Sequence, residues 1–193
     1  MKNILAVLTI VFSQLSFAQV PVSFERIGVK YNVDPTLLYA LSMTETARKS
    51  NFNTTTPWPW TANICKGQPG VGCKGYWFKT REELYEALDK QLQAGNDWFD
   101  VGIMQMNWHF HKKRFGEDLW LATHPLVNIN QAVGLLKDIQ VKHKDLNSVF
   151  KAYHAGENFH RVNYSEKRKK QIDHYASQTL RHYRQIQKYL ASQ

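Results

Sequence analysis

The sequence predicts a mostly α fold of the α+β class, with one small β excursion. Three observations carry this. Apolar residues recur at helical spacing along most of the chain, as in Leu37/Leu41, Leu84/Leu88/Leu92, Ile129/Val133/Leu136 and Ile172/Tyr175/Thr179/Tyr183/Ile186/Leu190. Residues 57–79 instead hold Pro57-Trp58-Pro59-Trp60 and a glycine-rich loop, which a helix interior does not tolerate. No repeat, low-complexity tract or linker divides the chain, and 193 residues suit one domain.

Each element follows from local residues. Residues 1–18 read as a signal peptide: Lys2, an apolar run from Ile4 to Phe12, and a small-x-small site at Ser16-Phe17-Ala18. That run is too short for a permanent bilayer span, and no later stretch is apolar enough for one, so a soluble exported chain of residues 19–193 is expected. Phe24, Ile27 and Tyr31 give a short helix. Asp34 can cap the next one and Pro35 suits its first position. That helix is expected to run to about Lys49. Its Leu37, Leu38 and Leu41 form an apolar stripe that ends in Glu45. A carboxylate on a core-facing stripe either pairs, reaches solvent or takes a raised pKa, and a protonated Glu at neutral pH is what general-acid chemistry needs.

Trp60–Ile64 and Gly75–Phe78 read as two short strands, a β-hairpin within 57–79. Cys65 and Cys73 flank its turn. The two either form a disulfide, worth about 2–3 kcal/mol for so short a loop, or stay as thiols; the CxxC spacing of a redox pair is absent. Thr80 with Glu83 forms a capping box for a helix that stops near Gly95-Asn96. Residues 100–107 form a Gly-containing loop with apolar flanks, and Trp108–Phe115 a short helix. Residues 116–127 are read as irregular, with Pro125 inside. Helices follow at about 128–142 and from Leu146 to Gly156, then a loop over 157–165. A long basic helix closes the chain within 166–193.

The formal net charge is +9, or about +8 without residues 1–18. A basic exported protein suits acidic partners such as cell-wall polymers, anionic lipid surfaces or nucleic acid. Nucleic acid is disfavoured, because no RNA-binding signature, zinc-finger spacing or basic zipper is present. His109 and His111 lack a third metal ligand and read as surface or groove histidines. Trp58, Trp60 and Trp77 either stack on sugar rings or pack the hairpin.

Four segments occur in a telling order: Glu45 in ALSMTET, residues 102–107 GIMQMN, residues 152–156 AYHAG, and Tyr175 in the closing helix. This set resembles the soluble-type lytic transglycosylases, which have a goose-type-lysozyme-like fold. The family's Ser after the Glu is Thr46 here, its Leu is Ile103 and its Asn is His154. The Pro-Trp-Pro-Trp-Thr stretch is similar to an insertion in members associated with conjugation or secretion machinery. The resemblance implies a lysozyme-like helical domain with a small inserted β-hairpin, and cleavage of peptidoglycan glycan strands between N-acetylmuramic acid and N-acetylglucosamine. Glu45 would act as acid, then as base on the muramoyl 6-hydroxyl, leaving a 1,6-anhydro end. Gly102, Met104, Gln105, Asn107, Tyr153 and Tyr175 are the expected substrate-binding or Glu45-positioning residues. Gly102 is expected to let backbone approach a sugar; Met104 either floors the groove or joins the core. The resemblance implies no metal and no organic cofactor. It implies a monomer in the periplasm, or secreted, with components of a conjugation or secretion system as possible partners. Two other readings stand beside it: a hydrolytic lysozyme with Asp97 or Asp100 as second carboxylate, and a non-catalytic peptidoglycan-binding assembly factor.

Overall fold

Asp34 starts the helix on which the rest is built. Its carboxylate accepts a hydrogen bond from the Thr36 amide at 2.8 Å, and Pro35 occupies the first helical position. The computed structural model of the chain describes residues 19–49, 54–68 and 70–193. The signal peptide expected for 1–18 lies outside the described residues. Helix α1 spans Val22–Tyr31 and α2, the Glu45 helix, Pro35–Thr46. Helix α3 spans Arg81–Gln93, and α4 and α5 are single turns at Trp108–His111 and Leu119–Ala122. Helices α6, α7 and α8 span Pro125–Lys142, Leu146–Ala155 and Glu166–Leu190.

Helix α2 is buried on every side. Leu38, Ala40, Leu41 and Ser42 are fully enclosed, and Leu37, Tyr39 and Met43 nearly so. One stripe was expected; most of the surface is covered because α1, α8 and the strand β2 (Thr55–Pro57) all pack on it, while Pro35, Thr44 and Glu45 stay half-buried. Burying a leucine this completely contributes about 1.5–3 kcal/mol. The hydroxyls that come with it return to the helix's own carbonyls: Ser42 donates to Tyr39 O at 2.8 Å and Thr44 to Ala40 O at 3.1 Å.

The helix stops three residues before its expected end. Ala47–Lys49 form strand β1, antiparallel to β2 with Arg48 opposite Thr56. The Arg48 guanidinium lies 4.8 Å from the Trp58 ring centre, which holds the chain to this turn rather than to another helical turn.

The predicted hairpin is present as β3 (Thr61–Ile64) and β4 (Lys74–Trp77), with Cys65 and Cys73 disulfide-bonded at its turn. It belongs to a larger sheet. Residues expected to be loop form β5 (Phe99–Val101) and β6 (Met106–Asn107), and the strand order is β4-β3-β5-β6, antiparallel throughout. Strands this short show no alternation in sequence, so they are legible only through their partners. The irregular stretch at 116–127 also resolves. Asp118 caps α5 through Leu121 N, and Pro125 opens α6 three residues earlier than expected, because proline fits the first helical turn.

Helix α8 runs antiparallel to α2 and is tied to its start, where Tyr183 donates to Asp34 at 2.6 Å. Ile172, Tyr175, Ala176, Thr179 and Ile186 face inward, and Lys167, Lys169, Lys170, Arg181, Arg184 and Lys188 face solvent. Among the described residues no helix is long and apolar enough to cross a membrane.

Candidate active site

Glu45 sits in the last turn of α2, where α8, α7 and the β5–β6 turn converge. Tyr175, presented by α8, donates its hydroxyl proton to Glu45 Oε1 in a short hydrogen bond. Burial pushes the Glu45 carboxyl up to about 8; the Tyr175 hydrogen bond works against this, and the nearby charge of Asp100 adds to it. Desolvation wins, so Glu45 holds its proton at neutral pH. Tyr175 is itself raised well above its ordinary value by burial and then by Glu45, which keeps it a donor.

Thr46 secures the end of the helix. Its hydroxyl lies 3.0 Å from Ser42 O and 3.1 Å from Ile103 O, so it bridges α2 to the 102–105 turn. That turn is built on two left-handed residues, Gly102 at φ +79° and Gln105 at φ +46°. The glycine is required by the packing behind it. A Cβ at Gly102 would lie 2.8 Å from both Cγ and Nδ2 of Asn128, so the side chain of α6 fills the space. Asn128 is fully buried with all its polar atoms paired. It accepts from Met104 N at 2.9 Å and donates to Val101 O at 3.0 Å and Ala122 O at 3.1 Å. Sequence reasoning missed it, although the signal existed. Asn128, Ala132 and Leu136 share one apolar face, the same anomaly that picked out Glu45.

The other expected residues divide. Met104 is fully buried, so its side chain joins the core instead of flooring a groove, because it packs beneath the turn. Its carbonyl accepts from the Tyr153 hydroxyl at 2.7 Å. Tyr153 therefore reaches the site but is not bonded to Glu45; burial, with the charges of Glu45 and Asp100 behind it, keeps its phenol protonated. Gln105 turns its amide nitrogen back onto Gly102 O at 2.9 Å and Thr61 O at 3.3 Å, bracing the turn against β3. Asn107 donates to Asp100 at 2.8 Å and accepts from Phe110 N, which caps α4.

The two candidate second carboxylates are not equivalent. Asp100 projects from β5 and accepts from Asn63 at 3.0 Å and Asn107 at 2.8 Å; burial raises its pKa and these two bonds oppose the rise. It is close enough to act on both Glu45 and Tyr153. Asp97 is engaged elsewhere, with His109 at 2.9 Å and Lys112 at 3.2 Å. Burial pushes it up, but those hydrogen bonds and charges outweigh burial and leave it below the carboxylate range. His109 also stacks on Trp98, centroids 3.6 Å apart, so both its Nδ1 and its ring face have structural partners.

His154 stands where the resembling family motif has Asn, and it packs on Tyr175. Its ring stacks on Tyr175 at 4.2 Å, with planes 15° apart. The Arg168 guanidinium donates to its Nε2 at 3.2 Å, which makes Nε2 an acceptor and puts the ring proton on Nδ1. Burial, and then the Arg168 charge, push its pKa down to about 4, so it is neutral at working pH.

A separate cleft of about 640 Å³ lies against α3, lined in part by Ile64, Tyr76, Phe78 and Glu86, and contains none of Glu45, Tyr153 or Tyr175.

A mostly helical domain with a small antiparallel sheet and a proton-holding glutamate at the end of its central helix is the arrangement of a lysozyme-like glycan-cleaving enzyme. The family profile described as Transglycosylase SLT domain matches residues 23–176, so the chain belongs to that family. Its members are lytic transglycosylases, lyases that act on peptidoglycan. Comparison with curated proteins and with solved structures gives no significant match.

Proposed function

We propose that this transglycosylase cleaves the β-1,4 bond between N-acetylmuramic acid and N-acetylglucosamine with Glu45 as the only proton-transferring side chain. The supporting observation is the Glu45 carboxyl, protonated to about pH 8 and aligned by Tyr175. Glu45 gives its proton to the glycosidic oxygen as the C1–O bond breaks, and the substrate's N-acetyl group assists at C1. The carboxylate so formed then takes the proton of the muramoyl 6-hydroxyl while that oxygen bonds to C1. The product is a 1,6-anhydro end, and no water is consumed. Tyr175 holds the carboxyl in place throughout. Gly102, Gln105 and Asn107 shape the wall beside it, Tyr153 supports that wall through Met104 O, and Asp100 supplies negative potential beside developing positive charge at C1.

The position of Asp100 favours one competing reading, a hydrolase in which Asp100 directs water or attacks C1. Mass spectrometry of a peptidoglycan digest separates the two. Anhydromuropeptides from the wild type and none from Glu45→Gln support the lyase; reducing ends would replace it with the hydrolase. Cell-wall binding without any released fragment would leave an assembly factor.

Export to the periplasm by residues 1–18, and local cell-wall opening for a conjugation or secretion apparatus, complete the proposal. They rest on the leader-like sequence and on the Pro57–Thr61 stretch. Fractionation of cells expressing the full chain, with N-terminal sequencing, tests export; a cytoplasmic chain retaining Met1 would refute it.

A further inference from the structure

The register of the four-stranded sheet assigns its two faces. Residues paired across an antiparallel ladder share a face, and neighbours along a strand alternate. The pairs Asn63↔Gly75, Asn63↔Asp100 and Asp100↔Asn107 therefore place Gly75, Asn63, Asp100 and Asn107 in one row across all four strands. Thr61↔Trp77 places Trp77 on the same face, two residues along β4 from Gly75. The inner part of the row is a hydrogen-bonded ladder, with both carboxamides donating to Asp100. Thr46, the residue after Glu45, donates to Ile103 O at 3.1 Å in the turn between β5 and β6, and the Asp100 charge bears on Glu45, so this sheet adjoins the reaction centre.

The outer part of the row differs. Gly75 contributes no side chain, and the Trp77 indole lies beside the space this leaves: a Cβ at Gly75 would be 3.6 Å from Cη2 and 3.8 Å from Cζ3. Trp77 is 54% exposed. The other hairpin tryptophans have structural places. Trp58 donates its indole N–H to Phe78 O at 2.8 Å and meets Trp60 edge-on at 5.7 Å, and Trp60 packs on the core. Among the described residues Trp77 has no ring partner and no hydrogen-bond partner. An indole left open beside a glycine, in line with a ladder of carboxamides and a carboxylate, has the mixed character of a sugar-binding surface: a flat apolar face with polar groups to one side.

We propose that Trp77 and Gly75 form a distal glycan subsite, where the indole stacks on the apolar face of a pyranose ring of the strand being cleaved at Glu45. The proposal rests on the assignment of glycan cleavage to Glu45. Adjacent strands lie about 4.8 Å apart and residues about 3.4 Å apart along a strand, so Trp77, two strands over and two residues along from Asp100, lies about 12 Å from it, beyond the reach of one disaccharide unit of about 10 Å. A long strand lying across this face reaches Trp77; a short one held at Glu45 does not. The subsite thus makes the enzyme select for glycan length.

Peptidoglycan oligosaccharides of four and eight sugars, digested by the wild type, Trp77→Ala and Trp77→Tyr, test this. Trp77→Ala is expected to raise KM for the octasaccharide about tenfold, with a much smaller change for the tetrasaccharide, and Trp77→Tyr to recover most of the loss. The effect falls on KM and not on kcat, because stacking remote from C1 binds ground and transition states alike. Equal KM values for wild type and Trp77→Ala on the octasaccharide, or a loss of the same size at both lengths, would overturn the subsite. Calorimetric titration of the octasaccharide into Glu45→Gln and Glu45→Gln/Trp77→Ala gives a separate answer. Binding that weakens with the second substitution upholds the subsite even if the wild type cleaves nothing, an outcome that would instead overturn the assignment of catalysis to Glu45. Identical binding of the two would overturn the subsite.

Discussion

Helix α8 is tied to α2 by a tyrosine–carboxylate hydrogen bond at each end, and the two bonds have different consequences. At one end Tyr183 donates to Asp34 in solvent-exposed surroundings, with Asp34 also capping α2. At the other Tyr175 donates to Glu45 within the converging helices. The chemistry is the same and the dielectric is not. At the wet end burial first, then the hydrogen bond and charge of Asp34, raise the Tyr183 phenol to about 12. At the dry end both partners are raised, the Tyr175 phenol well above its ordinary value and the Glu45 carboxyl to about 8. A bond that serves as a fastening in water becomes, once dried, a holder for a proton.

Substitution on each side sharpens the contrast. Glu45→Gln is expected to have the largest effect, lowering kcat by about a thousandfold or more in a dye-release or muropeptide assay. It also has a stability signature. The folded pKa of Glu45 is raised, so its stabilising contribution is complete below about pH 4.5 and is lost as pH rises through about 8. The unfolding free energy of Glu45→Gln should therefore gain on that of the wild type across that window, by roughly 5 kcal/mol at its alkaline end. A difference independent of pH would contradict a raised pKa. Tyr175→Phe comes next, with kcat down about 10–100-fold. Because the Tyr175 bond favours the ionised form, its loss moves the alkaline limb of the pH profile upward, the opposite of what simple opening of the site to water would produce.

His154→Ala should lower kcat about tenfold with KM little changed, since the ring acts only by holding Tyr175. His154→Phe preserves the stack and should recover most of that activity; failure to recover would assign the effect to the Arg168 hydrogen bond instead. The smallest effect belongs to the wet end. Tyr183→Phe is expected to cost about 1 kcal/mol in chemical denaturation and nothing in turnover.

What the sequence disclosed, and what it did not, follows the reach of each interaction. The helices were legible because caps and periodicity are local: Asp34, Thr80 and Pro35 act within a few residues of themselves. Glu45 was legible as a carboxylate at the end of an apolar face. Strands β1, β5 and β6 were not, since two or three residues carry no period and exist only through the strands opposite them. The carboxamides of Gln105 and Asn107 are expected at the site from the sequence, but their bonds to Thr61 O and Asp100 cross between elements, and no spacing announces such partners. Asn128 stood 24 residues from the amide it satisfies. The division of the tryptophans needed the register: one residue of slip would have turned Trp77 to the other face.

Asn128 and Gly102 carry a consequence for how such a site can change over generations. Asn128 occupies the space that a side chain at 102 would need, and it accepts the hydrogen bond of Met104 N. A larger residue at 102 collides with the asparagine, and a smaller one at 128 leaves an amide unsatisfied beneath the turn. Neither position can drift by itself. Among descendants of this chain the two should be inherited as a unit or replaced together, which makes the floor of the site the slowest part of it to diverge.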